Sequence, residues 1–279
     1  MKQHEELAIK RIVVAVDASA HSLAALRAAA ELASSLGAKL HGLFVEDVNL
    51  LRAAELPMAR ELRFPFASHA RMDPRTMRHQ LHAQAHHARR ALSSLCRRRD
   101  VSWTFQVVQG RVSATVLDEA RRGDLLCVGR ASRPVLDRPG IGSTARAAAV
   151  RAEGTVLLVS EGTHLRSPVV TFYDGSPEAD RALPLACHLA RLAGGLLSVL
   201  LIPDQTRPSS DLQDLIAERL VGENLRVRYR QVLGTGVAAL IEGLHAEGCG
   251  ILVLSAGLIR REEISLLLDQ LRCPTLLVR

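Results

Sequence analysis

Gly140, Gly142, Ser143 and Thr144 stand together where the chain reads RPGIGSTARAAAV, just ahead of small residues with helical spacing. Glycine lets the backbone approach a ligand closely, and free amides at a helix N-terminus attract anions, so this stretch suits a phosphate. Asp17 closes the apolar run IVVAVD, and Asp174 closes VVTFYD. A carboxylate at such a strand end can hold phosphate-bound magnesium or cap the turn that follows; capping is the expectation for Asp174. His79, His82 and His86 share one helical face, with no HExxH and no Glu or Cys close by in the sequence. They read as a polar helix face, and no metal ligand is assigned. Cys127, inside LLCVG, reads as a small core residue, not a nucleophile. The sequence has no Gly-x-Ser-x-Gly elbow, no GxGxxG after the first strand and no GxxxxGK[ST]. Hydrolase, dinucleotide and P-loop chemistries lose support, and no residue is assigned a catalytic role.

The elements that must position these residues come in two unequal copies. Residues 12–19, IVVAVDAS, are matched by 169–176, VVTFYDGS. Each is followed by a segment of helical period. Later, VVQGRVSATVLDEARRGDLLCVGR (107–130) is matched by VLGTGVAALIEGLHAEGCGILVLSA (232–256), and TVLLV (155–159) by PTLLV (274–278). Four matched elements in one order indicate duplication. The expected units are 1–160 and 169–279, joined by the polar linker 161–168. In each, short Val/Leu/Ile runs alternate with helical stretches as β-α-β-α-β-α-β-α-β, the pattern of an open parallel sheet with helices on both faces. A single continuous ten-stranded sheet is the competing arrangement, and the repeat weighs against it. Ser19 and Ser176 are expected helix caps, Gly37 a helix end and Pro177 a first helical residue. In a doubly wound sheet a ligand settles at the carboxyl ends of strands where the order reverses. That places Asp17 and Gly129 on one crevice, with Asp174 and Ser255 as counterparts.

Composition limits the choices further. The chain has 279 residues and a net charge of +7, with 48% hydrophobic and 3% aromatic residues. It can bury a core built from Val, Leu, Ile and Ala. No apolar run reaches the ~18 residues of a membrane span, and MKQHEELAIK lacks a secretory pattern. Five scattered cysteines without a CxxC fit reduced thiols, so a cytoplasmic location is expected. The basic excess is local: residues 50–99 hold eleven Arg against Glu55, Glu61 and Asp73, a net +8. The rest is close to neutral, unlike a nucleic-acid footprint spread along the chain. This insert is expected to start as a Pro-containing loop and become an Arg/His-rich helix. It can be a solvated face, a contact surface for an anionic partner, or a lid over the first crevice.

At these residues the chain resembles the universal stress proteins, in a tandem-domain arrangement. The resemblance rests on the opening strand ending in Asp, and on Gly129, two residues, Ser132, nine residues, then Gly142 and Ser143. The nucleotide-binding branch of the family has that spacing, with glycine where this chain has Ser132. The resemblance implies two flavodoxin-like (Rossmann-like, adenine nucleotide alpha hydrolase-like) domains, each a five-stranded parallel sheet of order 3-2-1-4-5. It also implies ATP, with magnesium, as the ligand of the first copy. Carried over, Ala15, Val16 and Asp17 would approach adenine and ribose, and Val45 would touch the base. Gly129, Ser132, Gly142, Ser143 and Thr144 would hold the ribose and phosphates. The side chain of Ser132 crowds that approach, and Arg130, Arg133 and Arg138 offer compensating charge.

The expected function is a stress-response protein that binds an adenine nucleotide in its first copy without significant turnover. The second copy, with 20 residues from Ser255 to Thr275 against 27 from Gly129 to Val156, is expected to have lost its phosphate loop. The last strands, TVLLV and PTLLV, resemble the edge through which the family pairs. Internal pairing as a pseudo-dimer is therefore expected, with a homodimer open. Two rivals stand: a slow ATPase using Asp17, and a nucleotide-free interaction module using the basic insert.

Overall fold

The computed structural model describes residues 9–56, 58–63, 68–71, 73–131, 140–234 and 236–279. The first half contains β1 (Arg11–Ala15), α1 (Ala20–Leu36), β2 (Lys39–Asp47), α2 (Val48–Glu55), β3 (Arg60–Arg63), β4 (Ser68–Arg71) and α3 (Pro74–Arg99). It continues with β5 (Trp103–Gly110), α4 (Val112–Ala120), β6 (Leu125–Gly129), α5 (Ser143–Arg151) and β7 (Thr155–Val159). The second half runs β8 (Val169–Tyr173), α6 (Pro177–Leu192), β9 (Leu196–Leu201), α7 (Ser209–Arg219) and β10 (Arg226–Gln231). It ends with α8 (Gly236–Glu247), β11 (Ile251–Ser255), α9 (Arg261–Gln270) and β12 (Thr275–Val278).

Local chemistry sets the helix boundaries. Ser19 accepts a hydrogen bond from Ser22 N at 3.2 Å to cap α1, and Gly37, at φ +64°, ends it. Ser176 caps α6 through Ala179 N at 3.2 Å, with Pro177 at the first position, and the helix continues through Pro184 to Leu192.

Strand order is β5-β2-β1-β6-β7 in the first half and β10-β9-β8-β11-β12 in the second, the expected 3-2-1-4-5 twice, with parallel pairing inside each half. The halves meet where β7 and β12 pair antiparallel, Leu157 opposite Leu276. One ten-stranded sheet results. Continuity and repetition, set against each other above, coexist because each half offers an unpaired apolar strand to the other.

Successive strand residues point to opposite faces, and both faces are apolar. Ile12 and Val14 join Cys127, Leu157 and Val253 beneath α1, α3, α6 and α7. Val13 joins Leu126, Leu158 and Leu277 beneath α4, α5, α8 and α9. Each core runs across the seam between the halves. Cys127 is fully buried, as expected for packing.

The basic insert departs from its expected form. Its opening is not merely a loop: Asp47 caps the short helix α2 through Asn49 N at 2.9 Å, and β3 pairs antiparallel with β4. Then α3 runs for 26 residues, against 11 for its counterpart α7. It packs by Met77, Leu81, Ala85, Ala88, Leu92 and Cys96, one residue per turn. Among the described residues, no helix is long and apolar enough to cross a membrane.

Candidate functional site

The carboxyl ends of β1, β2 and β6 open into a cleft of about 600 Å³, bordered by α2, α3, α4 and α5. That is within the roughly 300–1,000 Å³ of small-molecule sites. The strand order reverses between β1 and β6, so the topology alone leaves a crevice there.

Ala15, Val16, Asp17, Val45, Gly129, Ser143 and Thr144 all line this cleft. Asp17 Oδ1 accepts from Ser19 N at 3.0 Å, and Asp174 Oδ1 accepts from Ser176 N at 2.9 Å. Both aspartates thus cap the turn after their strand, and Asp17 also lines the cleft. Gly129 has a packing reason for its identity. A Cβ there would lie 2.7 Å from His21 C and 2.8 Å from Ser22 N, in the first turn of α1.

Gly142 anchors the start of α5 by donating from its N–H to Arg130 O at 2.7 Å. It is the residue before the helix and offers no side-chain cap. The first amides of α5 therefore remain unpaired within the helix and carry its positive dipole end. Helix α4 begins the same way, with Arg111 before it and no side-chain cap. Arg111, Val112, Ser113 and Ala114 line the cleft beside Ser143 and Thr144. Ser113 Oγ and Thr144 Oγ1 lie 3.3 Å apart, tying the two helix starts together. The sequence reading missed this second N-terminus; its one signal was the pair of small residues Ser113 and Ala114 after Gly110-Arg111.

Two further expectations resolve differently. Ser132, Arg133 and Arg138 lie outside the described residues. Arg130 does not line the cleft: it is 8% exposed and is influenced by the second half, where Cys273 and Asp269 favour its charged form and Arg272 opposes it. Burial holds its guanidinium below its ordinary pKa. The cause is the antiparallel seam, which sets the residue after β6 beside the start of β12.

The insert supplies part of the wall. Asn49 and Leu50 of α2, with Leu81 and Gln84 of α3, border the cleft. On the same helix His82 Nε2 lies 3.4 Å from Glu46 Oε1, and Gln109 donates to Glu46 Oε2 at 2.9 Å. The carboxylate absent from the sequence neighbourhood of the histidines is thus brought in by β2. Among the described residues no group of three or more His, Cys, Asp and Glu side chains is arranged to hold a metal.

The second half closes the matching place. Arg207 donates from Nη1 to Gly175 O, and that nitrogen would lie 2.6 Å from a Cβ on Gly175. Glu178 Cγ would lie 2.8 Å from a Cβ on Gly257. Helix α9 carries Glu262 and Glu263 in its first turn, whereas α5 has no acid there. Carboxylates at that end occupy the position an incoming anion would need.

Comparison with known proteins agrees with this architecture. The chain is similar to a universal stress protein from Archaeoglobus fulgidus DSM 4304, with TM-score 0.70 and 14% identity, covering 96% of this chain and 98% of that one. It is also similar to a functionally unknown protein from Pseudomonas aeruginosa PAO1, with TM-score 0.61 and 14% identity, covering 98% and 93%. At such identity the likeness is one of fold. No curated protein matches the chain by sequence. Residues 8–160 match the model of the universal stress protein family, more than half of the 279 residues, and the chain belongs to that family.

Proposed function

We propose that the first-half cleft binds an adenine nucleotide, ATP with magnesium foremost, and that the protein acts in the cytoplasm as a stress-response binding protein without significant turnover. The observation that carries this is the convergence of two helix N-termini, neither with a side-chain cap, on one cleft, joined by Ser113 and Thr144. Unpaired amides, two hydroxyls and Arg111 suit a phosphate chain. Leu43, Phe44, Val45, Leu50 and Leu81 supply apolar wall for a base. Asp17 is the carboxylate nearest the role of a magnesium ligand. Family membership supports the same reading. Among the described lining residues the carboxylates are Asp17 and Asp47, and none is His, Lys, Cys or Glu. The second half acts as scaffold, and the seam of β7 and β12 serves as an internal pseudo-dimer contact.

Calorimetric titration of the purified protein with Mg-ATP tests the reading. Saturable binding is expected, abolished in Ser143→Asp, whose carboxylate suits the helix dipole but repels phosphate. Absence of binding at millimolar ATP overturns it.

A second reading has its own observation. From Pro74 to Arg99 helix α3 contains no acidic residue, and Arg75, Arg78, Arg89, Arg90, Arg97 and Arg98 are all exposed. An acidic partner would be attracted along that face.

A further inference from the structure

Three of the five thiols are closed to chemistry. Cys96, Cys127 and Cys187 are buried, and burial pushes Cys96 up to about 11, Cys187 up to about 12 and Cys127 higher still. Cys249 and Cys273 differ: both are half-buried, and their Sγ atoms lie 3.0 Å apart. We infer that Cys249 and Cys273 form a peroxide-oxidisable dithiol site that closes to a disulfide at the seam between the two halves.

The fold holds the pair in place. Cys249 precedes β11 and Cys273 precedes β12; Leu252 pairs with Thr275 and donates to Pro274 O at 2.9 Å. Gly250 N donates to Pro168 O at 3.0 Å, and a Cβ on Gly250 would lie 2.2 Å from Arg166 O, so the backbone beside Cys249 is pinned against the linker. A disulfide has an S–S length of about 2.05 Å, so closure needs an approach of about 1 Å.

The second observation is Arg130. Its N–H bonds to Val159 O at 2.8 Å, at the end of β7, and the antiparallel seam sets that end beside the residues entering β12. Its side chain is 8% exposed, and Nη1 has no hydrogen-bond partner among the described residues. Asp269, the nearby carboxylate, already accepts from Ile141 N at 3.1 Å and Arg146 Nη2 at 3.4 Å. Among the described residues Arg130 forms no ion pair, so a desolvated cation stands at the end of the seam where β12 begins, and its charge favours a thiolate at Cys273. The hydrogen bond with Cys249 pulls the Cys273 thiol below its ordinary value; burial opposes it, while a backbone hydrogen bond and then the charge of Arg130 add to the lowering. The Cys249 thiol is pushed up by that same hydrogen bond and by burial, so it keeps its proton.

The chemistry balances with a hydroperoxide as oxidant. The Cys273 thiolate attacks one oxygen of hydrogen peroxide and the O–O bond breaks. The sulfur becomes a sulfenic acid, and the departing hydroxide takes a proton to leave as water. The Cys249 sulfur then attacks the sulfenic sulfur. The S–S bond forms as the S–O bond breaks, and the Cys249 proton leaves with the expelled hydroxide as water. Two electrons from the dithiol reduce one peroxide.

The test uses the full chain with one equivalent of hydrogen peroxide at neutral pH, alkylation under denaturing conditions and peptide mapping. Before alkylation the expected product is 2 Da lighter than the reduced chain, and after it Cys249 is linked to Cys273 with the other three cysteines alkylated. Arg130→Met should slow closure about tenfold, equivalent to roughly one unit in the thiol's pKa, while Arg130→Lys retains most of the rate. Failure to find the linked peptide, or formation of sulfinic or sulfonic acid at Cys273 in its place, overturns the site. Equal rates in Arg130→Met and the unaltered protein overturn the arginine's part in it. The wild-type map stands whether or not either variant folds.

Discussion

An alanine methyl at position 129 would press on His21 C at 2.7 Å and Ser22 N at 2.8 Å, both backbone atoms that cannot swing aside. Gly129→Ala is therefore expected to lose about 1–3 kcal/mol of stability by overpacking, measured by urea unfolding. It should do so with or without nucleotide, which separates the packing reason for this glycine from any phosphate contact. Much of the site was legible at this scale. Ala15, Val16, Asp17, Val45, Gly129, Ser143 and Thr144 meet at one cleft because strand ends and helix starts are local features of a repeating pattern. Arg130 was not legible, since its direction depends on a strand more than a hundred residues later. Arg111 and Ser113 were missed because an uncapped helix start leaves no capping residue to read.

At the scale of elements, two histidines make helix and strand contacts sensitive to acid. His188 of α6 shares a 2.9 Å hydrogen bond with Ser35 of α1, across the two halves. His41 of β2 is buried, with Nδ1 2.7 Å from Thr104 Oγ1 and Nε2 3.6 Å from Glu119 Oε1. Burial lowers both pKa values; Arg191 adds to this at His188 and Arg11 at His41, where Glu119 opposes it. The unfolded chain then binds protons more readily than the folded one. Stability is full above the ordinary histidine pKa of about 6.5 and falls as pH drops below it. Urea midpoints at about pH 7.5 and about pH 5.5 should show that loss, and a His41→Gln/His188→Gln variant should show a smaller one. The caps at Ser19 and Ser176 were readable because each is a bond within a few residues. Helix α2 and the β3–β4 pair were not: they are short and charged, and α2 lies against α3 of the same insert.

At the scale of the whole molecule, the seam consumes two apolar edges and leaves β5 and β10 as the outer ones. Strand β10 reads RVRYRQ, with Arg226, Arg228 and Arg230 exposed and Arg230 paired to Glu247. Charges along an edge keep other chains from adding a strand. Arg226→Val with Arg228→Val should promote self-association, seen as a rise in mass by light scattering, without loss of the fold. The duplicated order was legible from matched runs, and the apolarity of TVLLV and PTLLV pointed to pairing of the two last strands; that this pairing makes one continuous ten-stranded sheet was weighed against. Pairing between two strands of identical pattern gives no sequence mark beyond the apolarity of each.

The joining of β7 to β12 within one polypeptide has a further consequence. Two separate subunits fall apart on dilution, and their assembly is inseparable from protein concentration. Partners on one chain face each other at an effective concentration fixed by the short link from Ser160 to Pro168. Assembly here is therefore a constant of the molecule, indifferent to expression level. Each half is also released from being a copy of its neighbour. One can keep an open cleft while the other fills the same place with Arg207 and Glu178, an asymmetry that two products of one unduplicated gene could not share out between them.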